Sequence, residues 1–271
     1  GFEGNGTRVC RGVMATGPDG EMLEIRADAT VFATGGVGGL YSRSTNFSCL
    51  TGDGCRIAAE HGVLLEHMDY VQIHPTSLWS ERPGRAFLIS ESARGEGAIL
   101  LNDAGERFTD ELQPRDVVSA AIFAEMRRTG ASHVWLSFER VPREVIEGHF
   151  THILERCLEE GYDIREQPIP VVPAQHYFMG GIHVDSDSQT TLPHLFACGE
   201  TCCNGVHGKN RLASNSLLEA LVFAQRAADR IMRDRFAEDT SAQLAAAART
   251  RSRFVAGSRD VTDVALLTGA V

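Results

Sequence analysis

Apolar and polar positions alternate in short blocks at the start of the chain and settle into helical spacing at its end. Apolar runs at residues 8–15, 22–26 and 29–33 are separated by Gly17-Pro18-Asp19-Gly20 and a short polar link. A Pro-Asp-Gly turn between such runs predicts strands. The third run stops at Val31-Phe32-Ala33-Thr34-Gly35-Gly36. Glycines there suit a buried strand whose backbone approaches a ligand, though any strand can end this way. Residues 51–62 predict a helix that starts at Gly52-Asp53-Gly54 and stops at Gly62, with Asp53 able to cap it. Residues 68–78 then carry His74-Pro75-Thr76, and proline biases His74 towards an extended backbone.

From about residue 77 to 172 the pattern reads as an inserted domain. It contains Leu88-Ile89-Ser90-Glu91-Ser92-Ala93-Arg94-Gly95-Glu96-Gly97 and a strand and turn at 99–107. Helices follow at 115–129, ended by Gly130, and at 146–160, ended by Gly161. The return at 168–184 is proline-rich and then Gly-Gly, and two crossings between domains suit a lid over a cofactor. The loop from Gly205 to Glu219 runs into a helix whose apolar positions Leu217, Leu218, Leu221, Val222, Ala228, Ile231 and Met232 recur at helical spacing. Ser214, Asn215 and Ser216 are all competent caps. A helix start offers unpaired N–H groups and partial positive charge to an anion, and Arg211 adds a guanidinium fork. An ordinary capped helix after a surface loop is the alternative.

Composition narrows the class. The 271 residues are 43% hydrophobic and 23% charged, with a formal net charge of −10. A soluble globular protein with no basic stripe is expected, so nucleic acid is not a partner, and no apolar run approaches a membrane span. The cysteines number seven, an odd count scattered over a long chain, which suggests reduced thiols and a cytoplasmic setting. Cys198, Cys202 and Cys203 with His207 lack paired C-x-x-C spacing, so no metal site is expected. Nor does the chain contain a Gly-x-Gly-x-x-Gly strand-to-helix unit, so it is expected to be a fragment lacking the N-terminal dinucleotide-binding unit.

Arg115 stands in the first turn of its helix behind Pro114, where a cation opposes the dipole and Asp116 is the residue that fits. That misplacement points to function, against the alternative of a solvated surface arginine. Glu91 and Arg94, three apart, read as a proton relay or as an ordinary ion pair.

The runs His207-Gly208-Lys209-Asn210-Arg211-Leu212-Ala213-Ser214-Asn215-Ser216-Leu217-Leu218-Glu219 and Pro173-Ala174-Gln175-His176-Tyr177-Phe178-Met179-Gly180-Gly181-Ile182 resemble the flavoprotein superfamily of succinate dehydrogenase, fumarate reductase and L-aspartate oxidase. The resemblance spans roughly residues 25–235. Val171-Val172-Pro173-Ala174-Gln175-His176-Tyr177 and Leu212-Ala213-Ser214-Asn215-Ser216 are similar to the oxidase branch.

The resemblance implies α/β plus α+β architecture, with part of a Rossmann-like FAD-binding domain interrupted by an inserted capping domain. Its segments would be a partial FAD-binding domain at 1–70, a capping domain at 71–177, a returning FAD-binding segment at 178–236, and at 237–271 the start of a helical domain or a disordered tail. It implies FAD as cofactor, bound through Gly35, Gly36, Asp53, Glu200 and Ser216-Leu217. For Asp53 a plain helix cap is the alternative. It implies a dicarboxylate held by His176 and Arg211 at one end and by His74 and Ser90 at the other, with Arg115 as acid/base fed by Glu91 and Arg94. Ser90 departs from the family's usual threonine, and Lys209 from the usual alanine. The implied activity is oxidation of L-aspartate to iminoaspartate, with oxygen or fumarate as final acceptor, in NAD biosynthesis. Alternatives are a succinate dehydrogenase or fumarate reductase flavoprotein subunit, and a non-catalytic dicarboxylate-binding domain. The isolated fragment is expected to be inactive.

Overall fold

The computed structural model describes residues 7–257. The first segment folds as the turn chemistry predicts: β1 (Gly12–Thr16) and β2 (Met22–Arg26) form an antiparallel hairpin closed by Gly20 N–H donating to the Gly17 carbonyl at 3.0 Å. After β3 (Thr30–Phe32), helix α1 (Asp53–Glu60) leads to β4 (Leu65–Glu66). Asp53 does not cap α1. Gly52, in the left-handed region at φ 76°, is the cap, and the Asp53 carboxylate accepts from Thr51 Oγ1 at 2.9 Å. Glycine adopts that backbone without cost, so the carboxylate is not needed as a cap.

The inserted portion comprises β5 (Val71–Leu78), α2 (Glu91–Gly95), β6 (Ile99–Leu101), α3 (Arg115–Thr129), β7 (Val134–Ser137), α4 (Arg143–His149), α5 (Thr151–Glu159) and β8 (Ile169–Phe178). Its strands make an antiparallel sheet in the order β5-β8-β7-β6. Pro75 is tolerated because β5 is an edge strand, and the register shifts between His74 and Ser77. Leu78, Ile89, Leu100, Val118, Ile122, Leu136, Phe138, Phe150 and Val171 form one continuous buried core. The single helix expected at 146–160 is two, broken at Phe150. That ring is buried edge-on against Phe138, with centroids 6.2 Å apart, and helical continuity gives way to its packing.

The chain then returns through β9 (Gly181–His183), which pairs with β4 and with β11 (Cys202–Cys203), while β10 (Leu195–Ala197) lies parallel to β3. Val37, Cys55, Ala58, Phe178, Ile182, Leu195 and Ala197 make a second core. Helix α6 covers Asn215–Gly257. Over Asn215 to Ala227 it buries Glu219, Phe223 and Ala227, whereas Leu217, Leu218 and Leu221 are 71%, 63% and 71% exposed. The apolar stripe of the sequence therefore lies open.

By contact density the chain divides into two compact units, Gly1–Ala227 and Ala228–Val271. The described part of the second is helical throughout, in keeping with the alanines at 242 and 245–248. Of the tail expected at 237–271, positions 258–271 lie outside the described residues. All seven cysteines are free thiols. Among the described residues no helix is long and apolar enough to cross a membrane, and no three His, Cys, Asp or Glu side chains converge to hold a metal.

Candidate active site

Strand periodicity sets the first wall of the site. Along β5 burial alternates as far as His74, with Gln72 and His74 buried between half-buried Val71 and Ile73, and in the register shift that follows Thr76 is buried as well. Strand β8 lies alongside with Ile73 opposite Gln175, which brings His176 next to His74. The two imidazoles meet edge to face with centroids 5.2 Å apart. Burial holds His74 well below the usual histidine range, and the charges of His176, Arg115 and Arg94 push it the same way. Burial also lowers His176, to about 4, helped by Arg115, Arg211 and Arg85. Both rings are neutral near pH 7, and the positive field around them comes from the arginines.

Arg115 opens α3 as the sequence predicts, and it is buried. Its Nε and Nη2 donate to Glu91 Oε2 at 2.8 and 2.5 Å, and its Nη1 donates to Gln72 Oε1 at 2.9 Å. Glu91 reaches in the other direction to Arg94 Nη2 at 3.7 Å. Arg94, Glu91 and Arg115 thus stand in a row, hydrogen-bonded between Glu91 and Arg115 and in ion-pair contact alone between Glu91 and Arg94. Arg94 is held by donation from Nη1 to the Glu111 carbonyl, while its Nε and Nη2 have no hydrogen-bond partner. Burial lowers its pKa, and Arg115 adds to the effect.

Arg211 closes the site from the loop before α6. Its guanidinium lies over the Tyr177 ring at 4.7 Å, its Nη2 donates to Ser216 Oγ at 2.6 Å, and its buried Nε has no partner. Gln72 ties this loop down, donating from Nε2 to Asn210 Oδ1 at 2.8 Å and to the Arg211 carbonyl at 2.7 Å. Asn210 in turn donates to Asp116 Oδ1 at 3.1 Å. Gln72 is the residue that sequence reasoning missed, and period-two alternation with His74 was the signal that could have found it. Lys209 sits with its ammonium 5.6 Å from the centre of the Tyr70 ring. Ser90 caps α2, its Oγ accepting from Ser92 N–H at 3.3 Å and lying 2.7 Å from Ser92 Oγ. The neighbouring Ile89 N–H bonds the Thr76 carbonyl, which keeps Ser90 on the β5 side of the cleft.

A second group gathers at the carboxyl ends of the parallel pair β3 and β10. Gly35 has φ 75°, the Gly36 carbonyl accepts from Gly52 N–H at 3.1 Å, and a Cβ on Gly36 would come within 2.5 Å of Glu200 Oε1. Gly36, Glu200 and the start of α1 bearing Asp53 are therefore neighbours. Glu200 accepts from Phe178 N–H at 2.9 Å, and burial raises its pKa to about 7 against that bond. Ser216 and Leu217 lie in the first turn of α6, where Leu217 N–H donates to the Ser214 carbonyl at 3.2 Å.

The family described as FAD binding domain matches residues 3–217. The chain belongs to that family. FAD is accordingly its cofactor. An L-aspartate oxidase of Clostridium perfringens is 52% identical to the chain over 211 residues, which are 78% of this chain and 48% of that protein. Another, of Clostridium acetobutylicum, is 47% identical over 224 residues, 82% of this chain and 51% of that protein. The chain thus spans about half the length of these relatives. Among solved structures, a quinol-fumarate reductase with menaquinol superposes with a TM-score of 0.71 at 38% identity, over 79% of this chain and 41% of that one. An E. coli quinol fumarate reductase gives 0.70 at 37% identity, over 79% and 40%. The mixed architecture of an FAD-binding domain carrying an insertion, expected from the sequence, is that of these flavoproteins.

The residues present fit the cofactor. Bare backbone at Gly35-Gly36 ends a parallel strand where a ligand is expected, with the Glu200 carboxylate packed against Gly36. The apolar positions Leu217, Leu218 and Leu221 stay uncovered at the start of α6. Close by, the partnerless Nε of Arg211 is a buried donor that calls for an acceptor beside the cofactor, such as a carboxylate.

Proposed function

We propose that the protein to which this chain belongs is an FAD-dependent L-aspartate oxidase. It converts L-aspartate to iminoaspartate for NAD biosynthesis and passes the electrons to oxygen or fumarate. The observation that carries this reading is Arg115, buried and gripped by Glu91 and Gln72 while its charge bears on His74, His176 and Arg211. The names of the relatives support it. On this reading 71–177 is a capping domain, 1–70 and 178–236 are FAD-binding segments, and 237–257 is a helical segment. A cytoplasmic setting agrees with the free thiols.

Bound FAD supplies the acceptor for the hydride that leaves the substrate α-carbon. The chain supplies the rest. Arg211 and His176 take one substrate carboxylate, the first through its free Nε and the second through a ring N–H. His74 and Ser90 take the other. Arg115 exchanges a proton with the substrate, and Glu91 and Arg94 connect it to further donors. Gln72 holds Arg115 and the Arg211 loop in one frame.

Anaerobic bleaching of the flavin in the full-length, FAD-loaded protein tests the reading. L-Aspartate should bleach it and succinate should not. Bleaching by succinate alone would assign a dehydrogenase or fumarate reductase subunit, and retained flavin inert to both would assign a binding domain.

A further inference from the structure

We propose that Thr45 is a positioning residue for His176: its hydroxyl donates to Nδ1 and thereby presents Nε2–H, the donor that a carboxylate requires. The inference rests on the reading of His176 as a carboxylate-binding side chain.

The geometry begins with a buried hydroxyl. Thr45 is 3% exposed, and its Oγ1 lies 2.8 Å from His176 Nδ1. The competing acceptor, the Gln175 carbonyl, is farther at 3.3 Å and already accepts Thr45 N–H at 2.9 Å. A neutral imidazole carries one proton, so the partner at one nitrogen decides what the other offers. A proton on Nδ1 would leave a lone pair facing the substrate carboxylate, which repels it. A donor at Nδ1 removes that option. His176 is kept neutral by its burial and by Arg115 and Arg211, so it has no second proton to make the choice irrelevant.

Thr45 can do this because the segment around it is fixed on both sides. Gln175 N–H donates to the Arg43 carbonyl at 3.0 Å, and Ala86 N–H donates to the Ser44 carbonyl at 2.8 Å. Arg85 Nε donates to the Thr45 carbonyl. The flanking side chains hold the same two residues of β8. Ser44 Oγ donates to Gln175 Oε1 at 2.6 Å, and Asn46 Nδ2 donates to Gln175 Oε1 and to the His176 carbonyl, both at 3.0 Å. Three consecutive side chains thus clamp Gln175-His176, and only the middle one touches the imidazole. A β-branched side chain suits that place, since few χ1 rotamers are open to it.

The test uses the full-length, FAD-loaded protein and its Thr45→Val and Thr45→Ser variants, each also made in a His176→Ala background. The readouts are succinate affinity from the flavin difference spectrum, and KM and kcat for L-aspartate. One lost net hydrogen bond corresponds to a roughly 3- to 10-fold weaker succinate affinity and higher KM for Thr45→Val, with kcat within about 3-fold. Thr45→Ser should restore both within about 2-fold. In the His176→Ala background Thr45→Val should add less than about 2-fold, because the hydroxyl acts through the ring. If Thr45→Val does not retain flavin, Thr45→Cys, a much weaker donor of similar size, takes its place under the same criteria. Unchanged affinity in the valine variant, failure of serine to restore it, or a full penalty without the imidazole would each overturn the inference. A wild type that neither binds succinate nor reacts with L-aspartate would overturn the functional reading with it, whereas a normal wild type beside a normal valine variant overturns this inference alone.

Discussion

Replacing Arg115 by lysine separates charge from geometry at the centre of the proposed chemistry. The guanidinium makes three donations at once, two to Glu91 Oε2 at 2.8 and 2.5 Å and one to Gln72 Oε1 at 2.9 Å. An ammonium on a flexible stem keeps the charge and can follow Glu91, but it cannot span both partners. Gln72 is 4% exposed, so its Oε1 would be left as a buried acceptor without a donor, a cost of about 1–3 kcal/mol. On the proposed reading, dicarboxylate binding rests on the summed positive field of Arg211, Arg94 and residue 115, which survives the change. Succinate affinity should therefore fall by less than about 10-fold. Proton exchange depends on where the donor sits in the transition state, and losing a general acid or base typically costs ~10²–10⁴ in turnover. The assay is stopped-flow flavin reduction by L-aspartate without oxygen, beside an equilibrium titration with succinate, both on the full-length FAD-loaded protein. A reduction rate within about 10-fold of wild type, with succinate affinity lowered further than that, would refute the reasoning and make Arg115 a carboxylate ligand.

Three further outcomes are expected. His176 has its pKa depressed from 6.5 to about 4, so its neutral burial supports folding above the ordinary histidine range and that support is lost as pH falls through the interval. The thermal midpoint should drop from pH 6.5 towards 4 more steeply in wild type than in His176→Gln. Glu200 has the opposite sign: with its pKa raised to about 7, its contribution is full below the ordinary carboxylate range and fades as pH rises through 7. Glu200→Gln should therefore gain in apoprotein thermal midpoint relative to wild type between pH 5 and pH 8, and an equal shift at both would contradict the assignment. Gly181 has φ 131° and a Cβ there would lie 2.4 Å from the Thr201 carbonyl oxygen, between β9 and the turn before β11. Strain and overpacking together should make Gly181→Ala less stable by about 2–5 kcal/mol in denaturant unfolding, and a cost below 1 kcal/mol would show that the backbone shifts freely.

What was legible in the sequence was what local chemistry decides. Gly130 ends α3 in the left-handed region at φ 75°, as a C-terminal glycine should, and the run before Gly35-Gly36 is a strand parallel to β10. Where sequence reasoning failed, a residue answered to something distant. Phe150 breaks a helix because Phe138 waits across the core. The apolar stripe of α6 lies open while Glu219, polar by any scale, is buried and accepts from Asn204. Gln72 and Thr45 owe their importance to partners 43 and 131 positions away; alternation along β5 puts Gln72 beside His74 but names neither partner.

Arg115 shows where the two kinds of legibility meet. At the first position of a helix behind Pro114, a cation faces the positive end of the dipole, and the expected penalty is ~0.3–1 kcal/mol. A position that violates a local rule needs a compensating interaction elsewhere, so local chemistry announced that Arg115 has a partner, and only the resemblance named Glu91 for the part. The fold supplies Glu91, from another helix and itself in reach of Arg94. The pair also explains why Asp116 cannot take over the neutralising role: its carboxylate is turned to Asn210 in the Arg211 loop. Two acids near one helix start are thus divided between two tasks, one holding the proposed acid/base and the other anchoring the loop that carries Arg211.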